Sequence, residues 1–239
     1  MIRAVIFDIG GVLAYDVWEH LLLDTERGVA SICDLDVKQV RTVGQDLWNK
    51  FAYRATTGEE DWQDLEKEYW NTFIRTFNLS SSVNDFIKLT DKFILPIDGM
   101  TQLLEQLQLA GIDLAICSNN TEFWFKRQMD KLGLRRFFSP SRIVLSSRIG
   151  VPKSSPRYEM FQAVVDALQV DKDVCIFVDD REENILRAFQ FGLAGIIFPS
   201  HSAYGSKYLQ ALLEKMGVFE SIRAYGPGSA SKEVAYGSD

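Results

Sequence analysis

Residues 2–13 read IRAVIFDIGGVL, and this stretch decides the fold class. The run before Asp8 is mostly apolar without alternation, which is typical of a parallel strand covered by helices on both faces of its sheet. Asp8 ends the run, directly before a tight turn expected at Gly10 and Gly11. A charged side chain beside a buried strand is costly unless it is paired or bound to a metal ion. Asp8 is therefore a candidate functional residue, and a helix-capping aspartate is the alternative.

Three further apolar runs predict buried strands, at residues 112–117, 174–178 and 194–198. Helical patterns lie between them, at residues 100–110, 121–132, 156–168 and 182–191, and several stop near a glycine. Alternating strands and helices predict an α/β fold with a doubly wound parallel sheet. We expect residues 1–14 and 96–224 to form this Rossmann-like core.

A different pattern occupies residues 15–95, which contain no strand-like run. Four tryptophans, at positions 18, 48, 62 and 70, stand there among charged residues at helical spacing. This predicts a helical cap inserted after the first strand, above the sheet edge where open α/β sheets bind ligands. We assign the tryptophans to the cap's own core. Residues 225–239, rich in Gly, Ser and Ala, are expected to form a disordered tail.

Composition restricts the functional classes. With 239 residues and 46% hydrophobic content, the chain can form one core with an insertion. The net charge of −7 and the lack of a basic stripe argue against nucleic-acid binding. No stretch approaches the roughly 20 apolar residues that span a bilayer. Three cysteines without a CxxC pair favour a reducing compartment. We expect a cytoplasmic monomer or homodimer.

Polar residues also follow a later strand. Ser118 and Asn119 stand between the strand at 112–117 and a helix, so hydroxyl, amide and helix N-terminus could bind an anion, although this segment taken alone favours helix capping. Lys153 lies in a Gly/Pro loop, where a lysine is usually solvated. Each signal is weak when taken alone.

Asp179 and Asp180 end the apolar run 174–178. Adjacent carboxylates repel each other and are hard to explain by packing, whereas a divalent cation with oxygen ligands would stabilise them. Asn184 follows Asp180 by one helical turn and could reach back to the same place. The sequence therefore predicts a magnesium ion beside a phosphate-like group.

The order of these elements is more specific than any one of them. The segments FDIGGVL (7–13), ICSNN (116–120), GVPK (150–153) and IFVDDREEN (176–184) resemble the four motifs of the haloacid dehalogenase superfamily. The resemblance covers about residues 1–200 and includes a helical cap after the first motif.

The resemblance implies a role for each motif residue. Asp8 would attack the substrate and become an aspartyl-phosphate that water hydrolyses. Ser118 and Asn119 would contact the substrate, and Lys153 would neutralise the phosphate and Asp8. The implied Mg²⁺ ligands are the Asp8 carboxylate, the Gly10 carbonyl, Asp180 and, directly or by orienting ligands, Asp179, with Asn184 in support. The expected partner is a small phosphorylated metabolite, such as a sugar phosphate.

Gly10 departs from the family pattern. Most phosphatases of the family carry an aspartate there as general acid and base, although some apparent sugar-phosphate phosphatases share the D-x-G form. Loss of such an acid typically costs about 10²–10⁴-fold in rate. Asp16 and His20 are candidate replacements.

Two other functions stay open. A 2-haloacid dehalogenase would use Asp8 to attack carbon without a metal, but the acid pair at 179 and 180 argues against it, as does Gly10, where that branch usually has a bulky aromatic residue. A binding protein without activity is the other alternative. Four cap cations could contact an anionic substrate but are better explained as solvated helix faces: Lys38, Arg41, Lys50 and Arg54.

Overall fold

The computed structural model of the chain describes residues 1–60, 62–199 and 205–219. Its centre is one parallel sheet of five strands in the order β3-β2-β1-β4-β5. The strands are β1 (Ala4–Phe7), β2 (Asp113–Ser118), β3 (Ile143–Leu145), β4 (Cys175–Asp179) and β5 (Ala194–Ile197). The predicted doubly wound α/β fold is confirmed.

Eleven α-helices occur in the described residues. Five lie between β1 and β2: α1 (Val17–Leu23), α2 (Val29–Ile32), α3 (Val37–Thr56), α4 (Trp62–Phe77) and α5 (Val83–Lys92). The other six are α6 (Met100–Leu109), α7 (Glu122–Leu132), α8 (Ser146–Ile149), α9 (Glu159–Leu168), α10 (Glu182–Phe191) and α11 (Ser206–Lys215). None of the described helices is both long and apolar enough to cross a membrane.

The continuous apolar pattern of β1 reflects burial on both faces of the sheet. Val5 and Phe7 pack into one hydrophobic layer with residues of α6, α7 and α11, whereas Ala4 and Ile6 pack into the opposite layer with residues of α9. Successive side chains of a strand point to opposite faces, so a strand covered on both sides has no polar position.

The central position of β1 brings the functional strand ends together. Phe7 is aligned with Ile116 of β2 and with Val178 of β4. Asp8 therefore follows β1 at the level where β2 and β4 also end, and its backbone N–H donates to the Val178 carbonyl at 2.9 Å. The carboxyl ends of three neighbouring strands meet at one edge.

Helices α1–α5 share a separate hydrophobic cluster that includes Leu21, Phe51, Trp70 and Phe73. The chain enters and leaves this region side by side, because Ala14 forms isolated bridges with both Gly10 and Pro96. The entry point lies six residues after Asp8. We keep the division into a core and a cap over residues 15–95 as a proposal.

Several predicted elements differ from the structure in detail. Strand β3 was not predicted, because three apolar residues are too short to stand out from a helix or a loop. Helix α11 was not predicted either. Helix α9 begins at Glu159 rather than at Pro156, since Tyr158 before it has a φ of 60°. The expected tail at 225–239 lies outside the described residues.

A buried ion cluster joins helix α7 to helices α4 and α5. Arg127 of α7 donates to Glu66 at 2.8 and 3.0 Å and to Asp91 at 2.7 Å. Glu66 is 1% exposed. Burial raises the pKa of Glu66 above its ordinary value, and the Arg127 charge opposes that rise. Because a buried carboxylate needs its partner, Arg127 is the stabilising element of this contact.

We predict that Arg127→Ala lowers the free energy of unfolding by about 3–5 kcal/mol, because it leaves the Glu66 carboxylate buried without its cation. Arg135→Ala is the matched control, since Arg135 and Asp130 are about half exposed and such pairs contribute at most about 1 kcal/mol. Urea denaturation measures both. Equal losses would show that the Arg127 cluster is not a significant restraint.

Candidate active site

The site begins with Asp8, whose carboxylate is held in place by the turn that follows β1. The Ile9 backbone N–H donates to Asp8 Oδ1 at 2.8 Å. The other oxygen, Oδ2, lies 2.8 Å from Lys153 Nζ. Asp8 is 8% exposed, so a small part of it stays accessible from the cavity described below. The geometry leaves an oriented and accessible carboxylate at the sheet edge.

Lys153 is buried rather than solvated, being 1% exposed. Its ammonium lies between Asp8 and Asp179, at 2.5 Å from Asp179 Oδ2. Asn119 positions the loop, because its side-chain oxygen accepts the Lys153 backbone N–H at 2.8 Å. Burial alone would lower the pKa of Lys153, but the charges of Asp179 and Asp8 outweigh it, and the pKa rises. The lysine is a fixed positive charge.

Asp179 is fully buried and its hydrogen bonds come from the protein. Its Oδ1 accepts from the Arg181 backbone N–H and from Asn184 Nδ2, both at 2.9 Å, and its Oδ2 accepts from Lys153. Burial raises the pKa of Asp179, while Lys153 and Asn184 favour its charged form. Asp179 therefore orients Lys153, and Asn184 orients Asp179.

Three carboxylates converge here. Asp8, Asp179 and Asp180 each offer an oxygen, and these oxygens lie within 4.8 Å of one another. Burial, followed by the charges of Asp8 and Asp179, raises the pKa of Asp180 to about 7. One lysine cannot balance three acids. A hard divalent cation with oxygen ligands fits this donor set, so Asp8 and Asp180 could hold Mg²⁺ together with the Gly10 carbonyl.

The two glycines after Asp8 differ in function. Gly11 has a φ of 73°, and a Cβ there would stand 2.2 Å from Asp180 Oδ2. Gly11 must therefore be glycine if Asp180 is to reach the site. Gly10 is outside the left-handed region, and a Cβ there would meet no atom within 4 Å. Space for a side chain exists at Gly10.

In the segment after β2, different residues cap helix α7 and line the cavity. Thr121 caps helix α7, because its hydroxyl accepts the Trp124 backbone N–H at 3.0 Å. Asn120 is buried and donates to Gln128 at 2.8 Å. Ser118, the last residue of β2, and Asn119 are thus not used as caps and both line the cavity above Asp8.

A cavity of about 580 Å³ lies between the strand ends and the inserted helices. Its floor includes Asp8, Ser118, Lys153 and Asp180. Asp16 also lines it while capping α1 through hydrogen bonds from Trp18 and Glu19. His20 does not line the cavity and packs edge-on against Tyr15. Of the two candidate acids, Asp16 is the one that borders the reaction space.

The four cations of the inserted helices also differ in whether they line the cavity. Arg41 lines the cavity, whereas Lys38, Lys50 and Arg54 do not. Arg54 forms an ion pair with Glu60. Arg41 is exposed, as expected, and it also lines the cavity, because it shares one face of α3 with other residues of the cavity wall.

The four tryptophans belong to the hydrophobic cluster of the inserted helices, as expected: Trp62 and Trp70 are buried in it, and Trp18 and Trp48 pack against it. Trp18, Trp48 and Trp62 also line the cavity. Trp124 of α7 joins them and was not singled out. The spacing of Gln45, Trp48, Asn49 and Ala52 along one face of α3 is the signal that could have identified this wall.

Comparison with known proteins places the chain in a family. Residues 2–192 match the model of the haloacid dehalogenase-like hydrolases. Flavin mononucleotide hydrolase 1, a chloroplast protein of Arabidopsis thaliana, is 32% identical over 102 residues, which are 43% of this chain and 40% of that protein. The match thus spans about two fifths of the plant protein. Phosphatase MT3486 of Mycobacterium tuberculosis is 26% identical over 75% of this chain and 79% of its own length.

Solved structures support the fold. The haloacid dehalogenase family enzyme bt-2542 of Bacteroides thetaiotaomicron, solved with magnesium and inorganic phosphate, aligns with a TM-score of 0.59 at 18% identity over 85% of this chain and 98% of that one. The L-2-haloacid dehalogenase of Xanthobacter autotrophicus aligns with the same TM-score at 22% identity over 82% and 76%. The fold alone does not separate the two chemistries. With the family match over most of its length, the chain belongs to the haloacid dehalogenase-like hydrolases.

Proposed function

We propose that this hydrolase is a Mg²⁺-dependent phosphatase that acts on a small phosphorylated metabolite through an aspartyl-phosphate on Asp8. The observation that carries the proposal is the buried Lys153 ammonium, 2.8 Å from Asp8 Oδ2 and next to two further carboxylates. Such a site attracts a cation and, with that cation, a phosphate dianion. The plant relative, named a flavin mononucleotide hydrolase, and the mycobacterial relative, named a phosphatase, support the same reaction class.

Asp8 is the group best placed to attack phosphorus. Its Oδ1 is fixed by the Ile9 N–H, and its carboxylate lies at the cavity floor. Attack forms the Asp8–phosphorus bond and releases the alcohol with the ester oxygen. Water then attacks phosphorus, which releases phosphate and regenerates the Asp8 carboxylate.

The other residues reduce electrostatic repulsion between Asp8 and the incoming dianion. Lys153 supplies a positive charge that Asp179 and Asn119 hold in position. We assign Ser118 as a hydrogen-bond donor to a phosphoryl oxygen and Asn119 as its neighbour at the substrate. A preorganised charge and donor set of this kind stabilises the transition state without reorganisation.

Magnesium would be held by Asp8, Asp180 and the Gly10 carbonyl, and it would supply further positive charge at the phosphoryl oxygens. Asp179 would act by orienting Lys153, since both of its oxygens already accept hydrogen bonds from the protein. The acid cluster also favours this function over a metal-free dehalogenase, in which Lys153 would be the one cation among the described residues to balance three converging carboxylates.

Location and assembly complete the proposal. We propose a cytoplasmic location, whereas the plant relative is named as a chloroplast protein. We likewise keep a monomer or homodimer, with no nucleic-acid or membrane partner.

We predict that Asp8→Asn abolishes phosphate release from p-nitrophenyl phosphate, because the neutral amide cannot attack phosphorus. Asp166→Asn, on the exposed face of α9, is the matched control and should retain the parent rate. Circular dichroism checks that both variants fold. Parent-like turnover by Asp8→Asn would overturn the covalent mechanism.

We predict that Mg²⁺ stabilises the protein more at about pH 8 than at about pH 6, because Asp180 must be ionised to bind the ion. The pKa of Asp180 is raised from its ordinary value of 3.8 to about 7. Without metal, the contribution of Asp180 to the free energy of unfolding therefore falls as the pH rises from about 3.8 to about 7. Thermal melting with and without Mg²⁺ measures the difference. Asp180→Asn should remove the difference between the two pH values, whereas replacement of the exposed Asp173 by Asn should not. An increase in melting temperature with Mg²⁺ that is the same at both pH values would contradict the assignment of Asp180.

The metal requirement has a separate test. Undiminished hydrolysis in excess chelator would contradict it.

We predict that Gly10→Asp accelerates hydrolysis of alkyl phosphates and leaves aryl phosphates nearly unchanged, because a phenolate departs without a proton. A positioned acid is typically worth about 10²–10⁴-fold. The open space at Gly10 accepts the side chain, whereas Gly11→Asp should displace the Asp180 side chain, strain the turn and lower the stability. A folded Gly10→Asp variant with unchanged alkyl rates would indicate that the proton comes from elsewhere, with Asp16 the next residue to replace.

A further inference from the structure

We infer that the substrate carries, besides its phosphate, a planar ring system with hydrogen-bonding groups at its edge. The inference rests on the proposed phosphatase function and specifies the leaving group. It excludes a plain sugar phosphate as the preferred substrate. The evidence lies in the upper wall of the cavity, which the inserted helices and α7 supply.

Partly exposed indole rings form this wall. Trp18 and Trp48 are neither fully buried nor free, with ring centroids 5.1 Å apart and planes tilted by 45°. Trp62 and Trp124 pack behind Trp18, at 5.6 and 6.0 Å. All four line the same cavity as Asp8. Flat apolar surfaces of this kind bind aromatic rings by stacking.

Carboxamides stand beside the rings. Gln45, Trp48 and Asn49 lie on one face of α3 and line the cavity. Gln45 Nε2 donates to Asn49 Oδ1 at 2.9 Å, which fixes the two amides against each other and leaves the Gln45 oxygen and the Asn49 NH₂ available. A donor and an acceptor at the edge of an aromatic platform match the edge of a heterocycle that has both carbonyl and N–H groups.

Part of this wall belongs to the core of the inserted helices, because Trp18 also packs against Tyr69 and Trp70. Trp48 is partly exposed and lines the cavity. The cavity of about 580 Å³ also exceeds the needs of a phosphate and falls within the usual range for ring-sized ligands, about 300–1,000 Å³.

The sharpest test compares primary alkyl phosphates with and without an aromatic ring system. Ribose 5-phosphate, a nucleoside 5′-monophosphate and riboflavin 5′-phosphate are all primary alkyl esters, so leaving-group chemistry is matched. We expect kcat/KM to be at least about tenfold higher for one of the ring-bearing esters, in line with the stacking of one base on an aromatic side chain. A kcat/KM for ribose 5-phosphate equal to or above both others would overturn the inference.

Variants on α3 test the wall itself. Trp48→Leu should reduce the ratio of ring-bearing to ribose kcat/KM about tenfold, and Trp48→Phe, which keeps a ring, should reduce it less. Tyr53→Leu, on the exposed side of the same helix, is the matched control. If Trp48→Leu does not fold, Trp48→Phe and Gln45→Met carry the test. An unchanged ratio in these variants would contradict the assignment.

A binding measurement separates this inference from the phosphatase proposal. In the Asp8→Asn variant, riboflavin and a nucleoside without phosphate should quench tryptophan fluorescence, and Trp48→Leu in that background should weaken their affinity. Ring binding without phosphate release from any ester by the parent would refute the phosphatase proposal only. Phosphate release with no ring binding and no ring preference would refute the inference only.

Discussion

The structure depends on one buried ammonium among three carboxylates. Lys153 lies 2.8 Å from Asp8 and 2.5 Å from Asp179, and it is inaccessible to water. Removing such a charge from solvent is tolerable only with well-placed partners. The loop that carries Lys153, the Asn119 amide and the hydrogen bonds around Asp179 provide that placement. Three carboxylates and one ammonium leave an excess of negative charge beside Lys153. This excess favours binding of a cation, and the cation is needed to offset the charge of an incoming phosphate.

The parallel sheet makes this arrangement possible. Because β1 lies between β2 and β4, Asp8, Ser118 and Asp179 reach one edge from residues far apart in the chain. This much could be predicted from the sequence, since buried parallel strands are mostly apolar runs and three of the four predicted runs are followed directly by a polar residue. The adjacent acids Asp179 and Asp180 also predicted a functional site, because two neighbouring carboxylates repel each other and packing does not explain them.

Other features depend on tertiary contacts that local patterns do not encode. A lysine in a Gly/Pro loop looks solvated, and only the fold shows that Lys153 points inward. Strand β3 has three residues, so its pairing with β2 rather than its composition defines it. The tryptophans belong to the expected hydrophobic cluster, but helical spacing could not show that three of them also line the cavity. Gly10 and Gly11 are adjacent in sequence, yet only the position of Asp180 reveals which one must be glycine.

In the proposed mechanism, Asp8 forms a covalent bond to phosphorus during turnover. The stereochemical course of phosphoryl transfer from an ester made chiral with oxygen isotopes is the decisive measurement, since each in-line displacement inverts the configuration at phosphorus. Transfer of the phosphoryl group to an acceptor alcohol through an aspartyl-phosphate involves two displacements, so we expect net retention of configuration. Net inversion would mean that the acceptor attacks the substrate directly, and it would contradict the role assigned to Asp8.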